Sequence, residues 1–240
     1  MAILLGNFQA QAAAGGGFVP SDVAGLLAWF QADNAGSITS SGGAVSQWND
    51  LSGNGNHLTQ AAGANQPTTG TRTVNGRNVI DFDGTGDYLD VTMTSDATPY
   101  TFIFVGLFDT TAVQQNVIDA VGSSNRAVVL CSNAGVYGLY AATLTASAVA
   151  PSTTNAGIVA SIFNGASSAM YVDGGTSIIS GNPFEGNFVG LTLGARHDGN
   201  LNFNGVIGEV LIYDSALPST DLNSIGDYLA TRWGMTWTAV

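Results

Sequence analysis

The chain has 240 residues, of which 45% are hydrophobic and only 9% are charged, and its 5 basic and 17 acidic residues give a net charge of −12. Since the five basic residues are scattered arginines, the composition argues against a phosphate-binding basic patch, and we expect neither nucleic acid nor an anionic membrane surface as a partner. The 32 glycines favour strands joined by tight turns over long helices, so the composition predicts an all-β protein.

The first segment, "MAILLGNFQAQAAAGGG", is apolar and ends in three glycines. It lacks the basic start of a signal peptide, and no apolar run in the chain approaches the roughly 18 residues of a membrane span. We interpret residues 1–17 as an N-terminal arm with a Gly-rich hinge, and residues 18–240 as a single domain. Because the hinge lets the arm reach outward, we predict that it packs against another copy of the chain or a partner surface protein, and that the protein is a homo-oligomer.

Short strands separated by turn signals follow in chain order. The segment 100–108, "YTFIFVGLF", is apolar on both of its faces, which predicts a strand covered on both sides. The predicted strands are 26–31, 44–48, a pair within 78–91 around an Asp/Gly turn, 100–108, 157–163, 168–175, 188–195 and 206–214.

One helix is predicted near the end of the chain, in "LPSTDLNSIGDYLATRWG". Ser219 is the predicted N-cap and Gly234 the residue that ends the helix. Leu222, Ile225 and Leu229 recur at helical spacing and form one apolar stripe, so the helix should lie against the sheets. Trp233 is expected to anchor it there.

Six segments of the chain form an ordered set: "GLLAWFQAD", "VSQWNDLSGNGNHLTQ", "NGRNVIDFDGTGDYLDV", "MYVDG", "LTLGAR" and "FNGVIGEVLIYDSALPSTDLNSIGDYLATRWGM". Together they resemble the laminin-G-like branch of the concanavalin A-like lectin/glucanase superfamily. The similarity spans about residues 25–236. It implies an all-β fold: a two-sheet antiparallel jelly roll, or concanavalin A-like sandwich, with one short C-terminal helix. Members of the family include sugar-binding and adhesion modules and domains on viral and bacterial surfaces.

The superfamily also includes glucan hydrolases, whose chemistry uses two carboxylates about 5–5.5 Å apart for retention, or further apart for inversion. This chain has only two glutamates, Glu185 and Glu209, far apart in sequence. We therefore expect that the chain is not an enzyme. Because a buried, unpaired carboxylate is costly, Glu209 is predicted to pair with an arginine, with Arg232 as the candidate.

The segment "WNDLSGNGNHLTQ" (48–60) imitates half of an EF-hand loop, but Ala61 stands where the last calcium ligand belongs. The main interpretation is a tight turn built from Asn, Asp and Gly. The alternative is a looser calcium site made by Asp50, Asn54, Asp83 and Asp87. Calcium is the only cofactor that the sequence suggests.

Candidate ligand-binding residues are aromatic side chains that could stack on sugar rings and amides that could bond hydroxyls. They are Tyr137 and Tyr140 in "GVYGLY", and Asn200 and Asn202 in "HDGNLNFN". The alternative is that they are packing aromatics and a solvated loop. We predict a lectin-like surface module, a capsid decoration or fibre-like component at a virion surface with glycans as candidate ligands. A secreted bacterial carbohydrate-binding or adhesion module is the alternative, and a glycan hydrolase a third.

Overall fold

The computed structural model describes residues 17–97, 99–121, 126–141, 143–181 and 187–240. The predicted arm, residues 1–17, lies outside this part apart from Gly17, and so does Glu185. In the described part the strands are β1 Leu26–Gln31, β2 Ile38–Ser41, β3 Ala44–Trp48, β4 Leu58–Thr59, β5 Thr68–Val74, β6 Arg77–Asp83, β7 Leu89–Ala97, β8 Tyr100–Phe108, β9 Gln115–Ala120, β10 Val128–Cys131, β11 Tyr137–Ala141, β12 Thr143–Ala146, β13 Gly157–Phe163, β14 Ala169–Val172, β15 Ile179–Ser180, β16 Asn187–Leu193 and β17 Asn204–Tyr213. Helix α1 spans Ser219–Trp233, and short 3-10 turns span Pro20–Asp22, Ala35–Ser37, Gly63–Asn65 and Gly165–Ser167.

The strands pair antiparallel in two layers. The front layer has the order β2-β3-β4-β7-β16-β9-β10-β11-β12. In the back layer β17 lies between β8 on one side and β1 and β6 on the other, and β13, β14 and β15 continue outward from β8. Strand β5 pairs with β6 and contacts β3 at Ala44 and Thr68, which joins the two layers. The all-β prediction is confirmed as an antiparallel sheet folded over and nearly closed on itself, whereas the finer jelly-roll description stays a prediction.

Strand β8 shows why both of its faces are apolar. Phe102 and Phe104 point into the main core between the layers. Ile103 and Val105 point the other way, into a second core beneath α1. The prediction that this strand is covered on both sides is therefore confirmed.

Helix α1 forms the cover over the back layer. Its stripe of Leu222, Ile225 and Leu229 and the anchor Trp233 are all buried, as predicted. The helix begins one residue earlier than predicted, because Pro218 rather than Ser219 is the N-cap, and the Pro218 carbonyl accepts the N–H groups of Asp221 and Leu222. At the other end Gly234 takes the left-handed conformation, with φ of 63°. Within the described residues, no helix combines the length and apolar character required to cross a bilayer.

Glu209 is fully buried under α1, and its predicted partner is present. Arg232 Nε lies 3.3 Å from Glu209 Oε2. Four neutral donors complete the set around the carboxylate: the indole N–H groups of Trp29 and Trp233, both at 2.8 Å, and the Gln31 amide and Tyr228 hydroxyl, both at 3.1 Å. The pairing prediction is confirmed, and the carboxylate acts as a structural tie between β1, β17 and α1.

Candidate functional site

A row of side chains crosses the outer face of the front layer at its β12 edge. Val128 on β10 stands opposite Tyr140 on β11, and Tyr140 stands opposite Leu144 on β12. Because neighbouring side chains on a strand alternate between faces, and Val129 and Leu139 point into the core, this row points outward. Leu144 is among the exposed large hydrophobic residues, 47% exposed. The row gives this face an apolar strip with one aromatic ring.

Beside the row lies a buried carboxylate, Asp119 on β9, which is fully shielded from solvent. Arg126 pairs with it side-on: its Nε donates to Oδ1 at 2.9 Å, and its Nη2 contacts Oδ2. The Nδ2 of Asn116 and the backbone N–H of His197 also donate to Oδ2, at 3.3 and 3.0 Å. Asp119 therefore holds a guanidinium group, an amide and the start of the 197–202 loop in fixed positions.

The same guanidinium group lies over the aromatic row. The Cζ atom of Arg126 is 5.4 Å from the ring centroid of Tyr140, a cation–π distance. Around this pair is a cavity of about 290 Å³, which we call the Tyr140 cleft. Its lining residues are Gln114, Asn116, Arg126, Val128, Tyr140, Leu144, Arg196 and Leu201.

One polar atom in the cleft has no partner. Asn116 is 1% exposed, and its Oδ1 accepts no hydrogen bond from the described residues. A buried acceptor without a donor costs about 1–3 kcal/mol. Such an atom at the edge of a cavity is a position where a ligand hydroxyl would be stabilised.

The loop that closes the cleft is held in a tight conformation. Arg196 pairs with Asp198, with Nε to Oδ1 at 2.8 Å and Nη2 to Oδ2 at 2.5 Å. Leu201 has a φ of 51°, which is uncommon for a residue with a Cβ atom. Its carbonyl accepts the N–H of Asn116 at 2.8 Å, and its side chain lines the cleft. Backbone strain of this kind often marks a binding site.

The four residues predicted to bind ligand lie in different surroundings. Tyr140 lines the cleft, and Asn200 and Asn202 belong to the adjoining loop without lining it. Asn200 is exposed, and its N–H donates to Asp198 Oδ1 at 3.2 Å, while the Asn202 amide donates to the Gly199 carbonyl at 3.1 Å. Tyr137 is only 4% exposed and packs edge-on against Phe108 in the core, because its position in β11 faces inward. The alternative of a packing aromatic describes Tyr137.

Sequence reasoning missed Asn116, Asp119 and Arg126. The segment "QQNVIDA" carries buried polar residues on a strand, so its pattern does not resemble either an alternating or an apolar strand. The residues come together through pairing of β9 with β10 and through contacts with the loop near His197, which is 78 positions from Asp119. A sequence signal was present in Asp119 and Arg126, two opposite charges seven positions apart in a part of the chain with few charged residues.

The predicted calcium ligands are held by two separate loops. Asp50 accepts the backbone N–H groups of Trp29, Ser52 and Asn56 at 2.8–3.0 Å, and the Asn54 amide donates to the carbonyls of Leu26 and Leu27. These bonds, with Gly53 and Gly55 at positive φ, are the turn chemistry of the main interpretation.

Asp83 and Asp87 lie together in the turn between β6 and β7. Asp87 Oδ2 accepts the N–H of Asp83 at 3.1 Å, and Asp83 Oδ1 accepts that of Thr85 at 2.6 Å. Among the described residues, no three or more His, Cys, Asp or Glu side chains are grouped so that they could hold a metal ion. The calcium site stays a prediction without support from this geometry.

No protein-family model and no curated protein matches the chain. Solved structures show the same fold at low identity. The chain is similar to the Trypanosoma rangeli sialidase in complex with the inhibitor DANA, with a TM-score of 0.61 and 14% identity over 87% of this chain and 34% of the sialidase. It is also similar to domain 4 of a GH43 extracellular arabinanase from Geobacillus stearothermophilus in complex with arabinotriose, with a TM-score of 0.60 and 13% identity over 84% of this chain and 98% of that domain.

A third similar structure is the receptor binding domain of botulinum neurotoxin D, with a TM-score of 0.57 and 13% identity over 89% of this chain and 55% of that one. This chain spans about a third of the length of the sialidases that it matches. At such identities the likeness shows a shared β fold. The laminin-G-like branch, the virion surface and the arm's partners all stay predictions.

The expectation that the chain is not an enzyme is corrected by these comparisons. Several structures with this fold are sialidases, proteins that process glycans, although identity is 12–14%. The expectation relied on the missing pair of carboxylates, and that criterion does not cover sialidases, whose nucleophile is a tyrosine. The absence of a hydrolase strand motif therefore does not separate this chain from glycan-processing proteins.

Proposed function

We propose that this domain binds carbohydrate and that the Tyr140 cleft is its binding site. The observation that carries the proposal is the Oδ1 of Asn116, which has no hydrogen-bond partner among the described residues and is buried at the edge of a cleft that also presents an aromatic ring and a fixed guanidinium group. Sugars combine apolar C–H faces with hydroxyl groups that donate and accept hydrogen bonds. The cleft offers a counterpart to each.

The polar side of the cleft supplies both donors and an acceptor. Asn116 Oδ1 accepts from a sugar hydroxyl, while Arg126 donates. Since Nε and Nη2 of Arg126 are engaged by Asp119, its Nη1 group is the one left for the ligand. Asp119 holds this donor in place before the sugar arrives, which lowers the ordering cost of binding.

The apolar side is formed by Tyr140, Val128 and Leu144, with Leu201 opposite them in the closing loop. The volume of about 290 Å³ is near the lower end of ordinary ligand pockets, about 300–1,000 Å³. The cleft is therefore suited to a terminal sugar or a branch of a glycan rather than to a long stretch of chain.

The comparisons support the same class of ligand. The arabinanase domain, of which the match covers 98%, was solved in complex with arabinotriose, and one of the sialidases with sialic acid. The proposal for this chain is a carbohydrate-binding domain of a glycan-handling protein.

A glycan array tests the proposal, followed by calorimetry with the best ligand. We expect Tyr140→Ala to weaken binding at least about tenfold, because the substitution removes both the aromatic ring and its cation–π contact with Arg126. The matched control is Tyr171→Ala, which removes the same side chain from β14 in the back layer, where Tyr171 is also half-buried. Binding unchanged in Tyr140→Ala, or no glycan bound by the folded protein, would contradict the proposal.

A further inference from the structure

A second cavity, separate from the Tyr140 cleft, lies on the back layer where α1 ends. Its volume is about 590 Å³, about twice that of the cleft. Its walls come from the turn between β5 and β6, the loop before β13, the end of β14 and the residues after α1. We call it the Asp173 groove; it is lined by Thr73, Val74, Asn75, Leu107, Thr154, Asn155, Ala156, Asp173, Gly234, Met235 and Thr236.

Asp173 is the only charged residue among those lining residues. Its Oδ1 accepts the N–H of Ile158 at 2.8 Å, and no hydrogen bond from a described residue reaches its Oδ2. The carboxyl group is half-buried, and this burial raises its pKa because the charged form loses hydration there. The groove therefore contains an anionic group with one oxygen available.

Among the described residues, no cation pairs with this carboxylate. All five arginines lie in the described part, and each pairs with other acids: Arg72 with Asp81 and Asp109, Arg77 with Asp33, Arg126 with Asp119, Arg196 with Asp198, and Arg232 with Asp33 and Glu209. The sequence has no lysine and a net charge of −12, so no described arginine or lysine compensates the charge of Asp173.

The carboxyl end of α1 adds negative potential to the same groove. The helix ends at Trp233, and Gly234 and Met235, which follow it, line the groove. The last carbonyls of a 15-residue helix carry a partial negative charge that favours cations. Asn75 donates to the Trp233 carbonyl at 2.8 Å and is itself part of the wall, so this end of the helix is fixed against the groove.

We propose that the Asp173 groove binds an organic cation, an ammonium or guanidinium group carried on a short apolar stem. The charged group pairs with Asp173 Oδ2 near the end of α1, and the stem packs against the floor of Val74, Leu107 and Met235, which also contact the second core. A metal ion is a poorer match, because calcium takes 6–8 oxygen ligands and the groove offers a single carboxylate.

The test is a titration of the full chain with n-butylammonium, monitored through the backbone NMR signals of Ile158 and Asn75, with n-butanol as the neutral probe. We expect saturable shifts with the amine only, and binding at least about tenfold weaker in Asp173→Asn. Asparagine keeps an oxygen for the Ile158 N–H and tolerates the φ of 53° at this position, so this variant should fold. Asp227→Asn, which removes an exposed charge from α1, is the control and should bind as the wild type does.

A second arm compares free n-butylammonium with an N-acetyl-lysine amide. Either binder supports the groove as a cation site, and tighter binding of the lysine compound assigns it to a side chain of a partner protein. Equal binding of n-butanol, equal binding by Asp173→Asn, or no saturable shift up to about 10 mM amine would overturn the proposal. None of these results depends on whether the Tyr140 cleft binds carbohydrate.

Discussion

At the scale of single residues, Glu209 shows how a buried charge is accommodated. Burial raises the pKa of this carboxyl group, while hydrogen bonds from Trp233, Trp29 and Gln31 and the charge of Arg232 act in the opposite direction. Four neighbouring groups donate hydrogen bonds to the carboxylate and Arg232 adds a positive charge, so an ionised carboxylate is the one side chain of this shape that suits the site. These contacts explain why a carboxylate is buried at this position without assigning it a catalytic role.

Replacing Glu209 with Gln is expected to lower the free energy of unfolding by about 2–4 kcal/mol, because the new amide N–H₂ faces donors and the charge opposite Arg232 is lost. Urea unfolding, monitored by tryptophan fluorescence, measures this change in the free energy of unfolding. Asp227→Asn, which changes the charge equally on the exposed face of α1, should stay within about 0.5 kcal/mol. A Gln variant as stable as that control would show that the network contributes little.

Asp87 provides a prediction on pH. Burial, opposed by the hydrogen bond from the Asp83 N–H and reinforced by the Asp83 charge, raises the pKa of Asp87 from 3.8 to about 6. Between these two pH values the folded state binds a proton that the unfolded state has lost. The contribution of Asp87 to stability is therefore greatest below about pH 4 and falls as the pH rises to about 6.

Asp87→Asn mimics the protonated form and should stabilise the protein at pH 7 by about 1–2 kcal/mol, with the difference disappearing near pH 4. Thermal unfolding of both proteins at a series of pH values measures this. A variant that is less stable than the wild type at pH 7 would mean that the charge of Asp87 is favourable in the fold.

The candidate site was predictable from the sequence at one residue, Tyr140. Tyr137 is the other tyrosine of the same segment, and its sequence neighbours are similar. Only the pairing of β11 shows that the Tyr140 ring faces outward and the Tyr137 ring faces inward. Asn116 was beyond reach, because its significance lies in an atom without a partner, which no residue type reveals.

At the scale of elements, the strongly apolar strands and the helix were predictable. Strands β1, β3, β8 and β13 begin and end at the predicted residues. Strands β5 and β12 were missed for physical reasons. Strand β5 contains Gly70 at φ 78° and an irregular register with β6, and β12 is a short edge strand with mostly exposed side chains. Where burial does not select apolar residues, periodicity carries no signal.

The packing of α1 against the back layer depends on a glycine in β17. A Cβ atom on Gly208 would lie 2.6 Å from Cη2 of the Trp233 ring, which is less than any real contact. Gly208→Ala should therefore displace the anchor and lower the free energy of unfolding by about 1–3 kcal/mol. Gly63→Ala is the control, since its Cβ would meet no atom within 4 Å. Equal stability of the two variants would show that α1 can shift without cost.

At the scale of the whole molecule, the described contacts of the domain begin just after the predicted arm. Phe18 packs edge-on against Tyr228 with ring centroids 6.1 Å apart, and the Tyr213 hydroxyl donates to the Pro20 carbonyl at 2.9 Å. Deleting residues 1–17 leaves these contacts intact. We expect the melting temperature to stay within about 2 °C, because the prediction is that the arm packs against another chain and not against its own domain.

The same deletion tests the partner prediction, which concerns residues outside the described part. If the arm packs against another copy, the truncated chain should lose oligomerisation in light scattering after gel filtration. Unchanged assembly, or a domain that unfolds without the arm, would contradict it.

The central claim is that the Tyr140 cleft binds carbohydrate, and the most direct measurement is an NMR titration of the isotope-labelled chain with the strongest ligand of the glycan array. We expect the largest shifts to cluster at Gln114, Asn116, Arg126, Tyr140, Leu144 and Leu201, which are among the residues that line the cleft. We expect much smaller shifts at the Asp173 groove. Largest shifts elsewhere on the surface, or none with any glycan, would contradict the account.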